Sequence, residues 1–280
     1  MTHMTASIKQ ILTDAASSRS DDIWLVTPET EKSFSWADTQ KRAETIACYL
    51  QGARLSKGAS VAIAAPNGAA ASFAFLGVVY GGFRATPLNL VAGVKTLSFV
   101  LNHSKTELIL CADDSRDLVD EAIAGLVESG EKVPQIISMD VDDGPRWTEA
   151  NITPIKPFDL DNPSADTIGL LMYTSGTTGV PKGVLLSHAN LIAAGTNVAV
   201  AHELTPADTS MCVLPIYHIN GLCVTVMGSV VSSSGLVMPR RFSARHFWAQ
   251  MHKYKCSWFS AVPTLFAYLL NDETAPVLDR

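Results

Sequence analysis

The residues best suited to chemistry in this sequence form one run, Tyr173-Thr174-Ser175-Gly176-Thr177-Thr178-Gly179-Val180-Pro181-Lys182-Gly183. Gly176 and Gly179 free the backbone to turn N–H groups toward a single anion, and the hydroxyls of Ser175, Thr177 and Thr178 add donors. Lys182 supplies a mobile positive charge for phosphate oxygens. Together they suit a polyphosphate clamp. The run is not a Walker A loop, which places glycine directly before its lysine where this chain has Pro181, and it is not the dinucleotide pattern G-x-G-x-x-G. The missing Gly-Lys-Ser/Thr turn also argues against a P-loop phosphotransferase. A bare surface hairpin would share the composition, but the ordered string of glycines, hydroxyls and lysine favours the phosphate reading. With no apolar anchor between Tyr173 and Val180, residues 174–179 are predicted to be mobile when no nucleotide is bound.

A second run, Leu214-Pro215-Ile216-Tyr217-His218-Ile219-Asn220-Gly221, holds a histidine. A lone histidine is more often a core residue satisfied by a backbone carbonyl. The string around His218 favours a site instead. Arg240 and Arg241 stand side by side before a predicted helix, where paired arginines are usually a solvated face. His188 is read as capping or packing the helix that follows it.

The elements that must position these runs alternate along the chain. Strands are predicted at 23–27, 60–65, 84–88, 107–111, 135–139, 167–173, 183–186, 211–214, 235–238 and 258–261. Between them falls a helix capped by Ser35 and stopped by Gly52, then helices at 69–80, 94–103, 115–128, 188–200, 221–231, 243–254 and 264–270. The 69–80 helix is expected to be buried on most sides. Strands separated by helices of this length imply βαβ units, hence an α/β fold of mostly parallel sheets flanked by helices. Between 140 and 166 the texture changes to turn chemistry, Asp142-Asp143-Gly144-Pro145, and to the helix breakers Pro154, Pro157 and Pro163. Two α/β subdomains are therefore expected, 1–160 and 161–280, the second carrying the candidate loop.

Hydrophobic residues make up 47% and charged residues 17% of the 280, the composition of a globular chain with a sizeable core. A formal net charge of -6 opposes a nucleic-acid face, though one small site can be locally positive on an acidic protein. Cys48, Cys111, Cys212, Cys223 and Cys256 show neither a CxxC pair nor metal-ligand spacing, so they are read as buried free thiols of a reducing, cytoplasmic setting. No metal-ligating set stands out. Residues 213–239 lack Asp, Glu, Lys and Arg, but Pro215, His218, Asn220 and several glycines interrupt them. They read as strand, loop, buried helix and strand rather than a membrane span. The first fourteen residues lack an apolar core followed by a small-residue cleavage site and are not expected to act as a signal peptide.

The first run resembles the phosphate-binding signature of the adenylate-forming superfamily: acyl-CoA synthetases, 4-coumarate-CoA-ligase-like enzymes, luciferases and the adenylation domains of peptide synthetases. Further strings resemble that family in its own order: Pro66-Asn67, Pro87-Leu88-Asn89, Ser187-His188-Ala189-Asn190-Leu191, the 214–221 run and Ala261-Val262-Pro263-Thr264. The resemblance spans the chain and implies the large N-terminal domain of such an enzyme, incomplete. The implied activity is that of an acid–thiol ligase. A small carboxylic acid, a fatty or related one, would be joined to AMP from ATP with Mg2+, then passed to CoA or a carrier-protein thiol. Carried over by position, Thr174, Ser175, Gly176, Thr177, Thr178, Gly179 and Lys182 would grip the β- and γ-phosphates. His218 would form a gate beside the acyl carboxylate and α-phosphate, with Asn220 and Gly221 bordering the acyl pocket, so Lys182 and His218 are the catalytic candidates. Arg240 and Arg241 fall near a position where some CoA ligases meet the CoA phosphates. The family's adenine, ribose and metal elements, its hinge and its C-terminal lysine are not among these 280 residues. That implies a truncated chain, inactive alone and self-associating through an uncovered sheet face. The alternative is a non-catalytic nucleotide-binding or regulatory remnant.

Overall fold

A computed structural model of the chain describes residues 6–149, 151–174 and 180–271. Its first helix, α1 (Ile8–Ser18), starts at Ser7, whose side chain accepts from the Gln10 N–H, and it buries Ile8, Ile11, Leu12 and Ala15. The sequence reading places no element there. Then come β1 (Ile23–Thr27), β2 (Lys32–Ser35), α2 (Trp36–Gly52), β3 (Ser60–Ala64), α3 (Ala69–Tyr80), β4 (Arg84–Pro87), α4 (Val94–His103), β5 (Thr106–Ala112), α5 (Arg116–Glu128), β6 (Gln135–Asp140) and β7 (Gly144–Pro145). They are followed by β8 (Ile168–Thr174), β9 (Lys182–Ser187), α6 (His188–Ala201) and β10 (Thr209–Met211). A π-helical stretch, Asn220–Val226, runs into α7 (Met227–Ser232), and β11 (Gly235–Val237), α8 (Ala244–Lys253), β12 (Trp258–Phe259) and α9 (Pro263–Leu270) complete the order. The predicted cap of α2 is present as a full capping box between Ser35 and Asp38.

The strands form two sheets, ordered β12-β10-β11-β1-β2 and β7-β6-β5-β3-β4-β8-β9. Among the described residues only the hairpins β1–β2, β6–β7 and β8–β9 are antiparallel, so the mostly parallel α/β architecture holds. Parallel neighbours need long crossovers, which lets strands remote in sequence pair. Each sheet accordingly draws on both sides of residue 160: β1 pairs with β11, and β4 pairs with β8. The main core likewise runs from Ile8 to Met238. A division into 1–160 and 161–280 thus coincides with neither sheet nor core.

All twelve residues of α3 are buried, as its apolar composition predicts. It contacts β1 of the smaller sheet and β3, β4 and β8 of the larger, and Phe73 meets Trp24 and Phe34. Gly77 lets it seat on α2, since a Cβ there would lie 2.5 Å from Ile46 Cβ.

The 213–239 stretch is a loop, a helix and a strand, and among the described residues no helix is long and apolar enough to cross a membrane. The preceding strand ends at Met211 rather than 214, because Leu214 to Ile216 bond to a side chain instead of a neighbouring strand. All five cysteines are free. Four are buried, while Cys256, after α8, is partly exposed, which corrects the reading that all are buried.

Candidate active site

The first run forms the tip of the β8–β9 hairpin, with Thr174 directly opposite Lys182 and both exposed. Ser175, Gly176, Thr177, Thr178 and Gly179, and with them most of the segment expected to be mobile, lie outside the described residues. The stem is built closely. A Cβ on Gly183 would lie 2.9 Å from Leu171 Cδ1 and 3.4 Å from the Tyr173 ring, so glycine admits Tyr173 across the hairpin. The Tyr173 hydroxyl is 2.7 Å from Nδ1 of His103, at the end of α4, and desolvation raises the tyrosine pKa. Among the described residues Lys182 makes no ion pair, which leaves its charge available to an anion.

The second run folds on itself. The His218 N–H donates to Pro215 O at 3.0 Å, and the Leu222 N–H donates to His218 O at 3.1 Å. Gly221 is demanded by contact, since a Cβ there would lie 2.4 Å from Pro215 O and 2.6 Å from Leu214 O. This crowding, with Thr225 Oγ1 bonding Asn220 O five residues back, accompanies the π-helical start where a regular α-helix is predicted. His218 is exposed overall and sits 4.6 Å, ring to ring, from Tyr217. Partial desolvation still lowers its pKa from the ordinary 6.5, so the ring is mainly neutral at pH 7. Asn220 Oδ1 is buried without a partner among the described residues.

Two cavities lie at the carboxyl ends of the strands, the edge where open α/β sheets bind ligands, and one of them joins the two runs. One, of about 260 Å³, is bordered by Tyr173, Thr174 and Pro181 from the hairpin, by Pro87 and Asn89 after β4, and by Tyr217. The other, of about 350 Å³, is bordered by Asn67, Pro215, Tyr217, Arg240 and Arg241 among others. Tyr217 borders both, whereas His218, Asn220, Gly221 and Lys182 line neither. Tyr217 and Asn67 are the residues the sequence reading did not single out, although both stood in strings it quoted. A cavity of about 450 Å³ around Lys57, Gly82 and Thr167 opens at the amino ends of the strands, away from both runs.

The sequence pattern of AMP-binding enzymes matches residues 12–279. The chain belongs to the AMP-binding enzyme family. It is 38% identical over 258 residues to a sulfoacetate–CoA ligase of Cupriavidus necator, covering 90% of this chain and 48% of that protein. It is 30% identical over 225 residues to an oxalate–CoA ligase of Arabidopsis thaliana, covering 78% and 43%. In fold it matches a fatty acyl CoA synthetase of Mycobacterium tuberculosis with a TM-score of 0.83 at 23% identity, covering 98% of this chain and 52% of that one. It also matches the N-terminal domain of FACL13 from the same organism, at 0.80 and 23%, covering 96% and 66%. The architecture is therefore that of the N-terminal domain of adenylate-forming enzymes. The chain spans about half the length of the curated relatives it matches.

In this AMP-binding family member the two arginines differ. Arg240 pairs with Asp114, after β5, and its backbone N–H donates to Glu29, after β1. Its solvent-exposed side chain thus meets a carboxylate across the ends of the two sheets. Arg241 stays exposed beside the 350 Å³ cavity. His188 packs and does not cap: Ser187 and Asn190 form the capping box of α6, while the buried His188 ring accepts the Ile8 N–H on Nδ1 at 3.1 Å. Among the described residues no group of three His, Cys, Asp or Glu could hold a metal ion.

Proposed function

We propose that this family member activates a carboxylic acid with ATP and transfers the acyl group to CoA. The observation carrying the reading is the 260 Å³ cavity, where Thr174 and Pro181 at the root of the phosphate run meet Tyr217, the neighbour of His218. The CoA ligases to which the chain is similar in sequence support the same chemistry.

In the first step a carboxylate oxygen attacks the α-phosphorus of ATP. The bond from that phosphorus to the bridging oxygen breaks, and its electron pair leaves with pyrophosphate. Lys182, with the hydroxyls and amides of 174–179, holds the β- and γ-phosphates and steadies the charge that builds there. A neutral His218 can donate one N–H to the acid without trapping it in a full ion pair. In the second step the CoA sulfur, having given its proton to solvent, attacks the acyl carbon, and AMP departs with the electron pair of the acyl–oxygen bond. Positioning carries much of both steps. Magnesium, brought in with ATP, would offset the phosphate charge that Lys182 also meets.

For the acid, the sequence expectation is a fatty or related one. The relatives at 38% and 30% identity are named for sulfoacetate and oxalate, and this favours a second reading, a short acid with a second anionic group.

Titration calorimetry with Mg-ATP and with pyrophosphate reads the phosphate site without turnover. Lys182→Ala should weaken both by about 10- to 100-fold, the worth of a charge-assisted hydrogen bond. Equal binding by the variant would sink the assignment. Acid-dependent ATP–pyrophosphate exchange with sulfoacetate, oxalate, acetate and long-chain fatty acids then tests chemistry and substrate class.

A further inference from the structure

We propose that Asn67 is a positioning residue for His218, its side-chain amide fixing the Leu214–Ile216 backbone and through it the place of the histidine. The proposal deepens, and rests on, the reading of His218 as part of the site.

The contact is specific. Asn67 is only 8% exposed, its Nδ2 donates to Leu214 O at 2.9 Å, and its Oδ1 accepts the Ile216 N–H at 3.0 Å. One side chain thus holds the peptide groups on both sides of Pro215, which has no N–H of its own. The donor and acceptor of an amide match this pair. Aspartate would turn a second acceptor against the Leu214 carbonyl, and alanine would leave both groups unpaired.

Both ends of the clamp are stiff. Asn67 is followed by Gly68 at φ +140°, a conformation side chains rarely adopt, so glycine shapes the turn that aims the amide. Ser72 Oγ closes that turn on Gly68 O at 2.9 Å, and the turn opens the wholly buried α3. On the receiving side, the Pro215–His218 and His218–Leu222 hydrogen bonds and the tight seat of Gly221 on Pro215 O make the segment one unit. Moving Leu214 to Ile216 therefore moves His218. Cys212 Sγ, 3.4 Å from Leu214 O and 3.6 Å from Gly221 O, adds weak contacts to two carbonyls of the run, whereas the Ile216 N–H is held by Asn67. The ionisable groups near the segment are the buried Cys212 thiol on Leu214 O, Tyr217 beside His218, and Arg240 and Arg241 on the cavity that Asn67 shares with Tyr217.

The test is an NMR titration of the histidine rings in the 280-residue chain, with His218 and His188 assigned from His218→Gln and His188→Gln. In Asn67→Ala, His218 should titrate higher, toward about 6.5, as its surroundings open to water. His188, held in the main core by other bonds, should stay depressed and so report that the fold survives. A folded Asn67→Ala with His218 unmoved would overturn the proposal. If His188 also rises, the variant has lost its fold. Hydrogen exchange of the wild-type chain then decides: the Ile216 amide must be protected like those of β3, and rapid exchange there would equally overturn the clamp. In acid-dependent exchange, Asn67→Ala should lower kcat by up to about 100-fold with the ATP KM unchanged, and should cost nothing further on top of His218→Ala. A moved His218 titration in Asn67→Ala, with acid-dependent exchange unchanged by His218→Ala, would refute the functional reading and leave the clamp standing. Acid turnover with His218 unmoved in Asn67→Ala would do the reverse.

Discussion

Acidification should loosen the N-terminal helix before the rest of the fold. His188 has no exposed surface, its Nδ1 accepts the N–H of Ile8, the first residue of α1, and its Nε2 has no partner among the described residues. Burial brings its pKa from 6.5 down to about 4. Between those values the unfolded chain binds a proton that the folded chain refuses. Stability is therefore full above pH 6.5 and is lost as pH falls toward 4. A gap of roughly 2.5 units at about 1.4 kcal/mol each comes to roughly 3 kcal/mol, a large share of a typical domain's stability. The structural event follows from the geometry: a protonated ring presents an N–H to the Ile8 N–H, so an attraction becomes a clash of two donors. The assay is urea unfolding followed by tryptophan fluorescence at pH 7 and near pH 4, for wild type and His188→Gln, with amide exchange locating the first helix to open. Glutamine can accept from Ile8 but does not titrate, so the acidic groups common to both proteins cancel. Wild type should lose roughly 3 kcal/mol more than the variant over that range. The same pH dependence in both proteins, or α1 amides that stay protected at pH 4, would refute the reasoning.

Gly221→Ala should destabilise by about 1–3 kcal/mol, because the new methyl would meet the backbone oxygens of Pro215 and Leu214 rather than a flexible side chain. Scanning calorimetry checks this, and a melting temperature equal to wild type would contradict the tight turn. Lys182→Ala should reduce pyrophosphate binding more than Arg241→Ala does, since Lys182 faces Thr174 at the hairpin tip while Arg241 borders the other cavity; calorimetry showing the reverse order would overturn the assignment. Tyr173→Phe removes the bond to His103 and should cost about 1 kcal/mol in urea unfolding, with weaker ATP binding if the hairpin root shapes the phosphate site.

Local elements were legible where each residue's neighbours in sequence decide its structure. The Ser35 cap, the Gly52 stop and the all-apolar α3 are of that kind. Helix α1 carries the same local signals, Ser7 as cap and Ile8, Ile11, Leu12 and Ala15 at helical spacing. Strand β2 is four residues with two exposed, too short for a periodic signal. The phosphate run could be read because its residues act together and are contiguous. Asn67 could not, since its partners lie 147 and 149 positions away. Nor could the Arg240–Asp114 pair, which joins residues after β11 and β5.

That difference has one cause. The runs identified by sequence sit on single loops, whereas the cavity walls come from two sheets that exchange strands. Parallel strands send their following loops off one edge, so β3, β4, β5 and β8 on one sheet and β1, β10 and β11 on the other deliver loops to a common rim. Across that rim run the Asn67 bonds to Leu214 and Ile216, the Arg240–Asp114 pair and the contact of Ser72 Oγ with Met238 Sδ at 3.2 Å. The exposed ion pair contributes little energy on its own. The buried amide bonds contribute more, and they alone reach the segment bearing Tyr217 and His218. The shape of the cavity at Tyr217 is thus set by how the two sheets seat on α3, and Asn67 is where that seating is passed to the residues expected to meet the substrate.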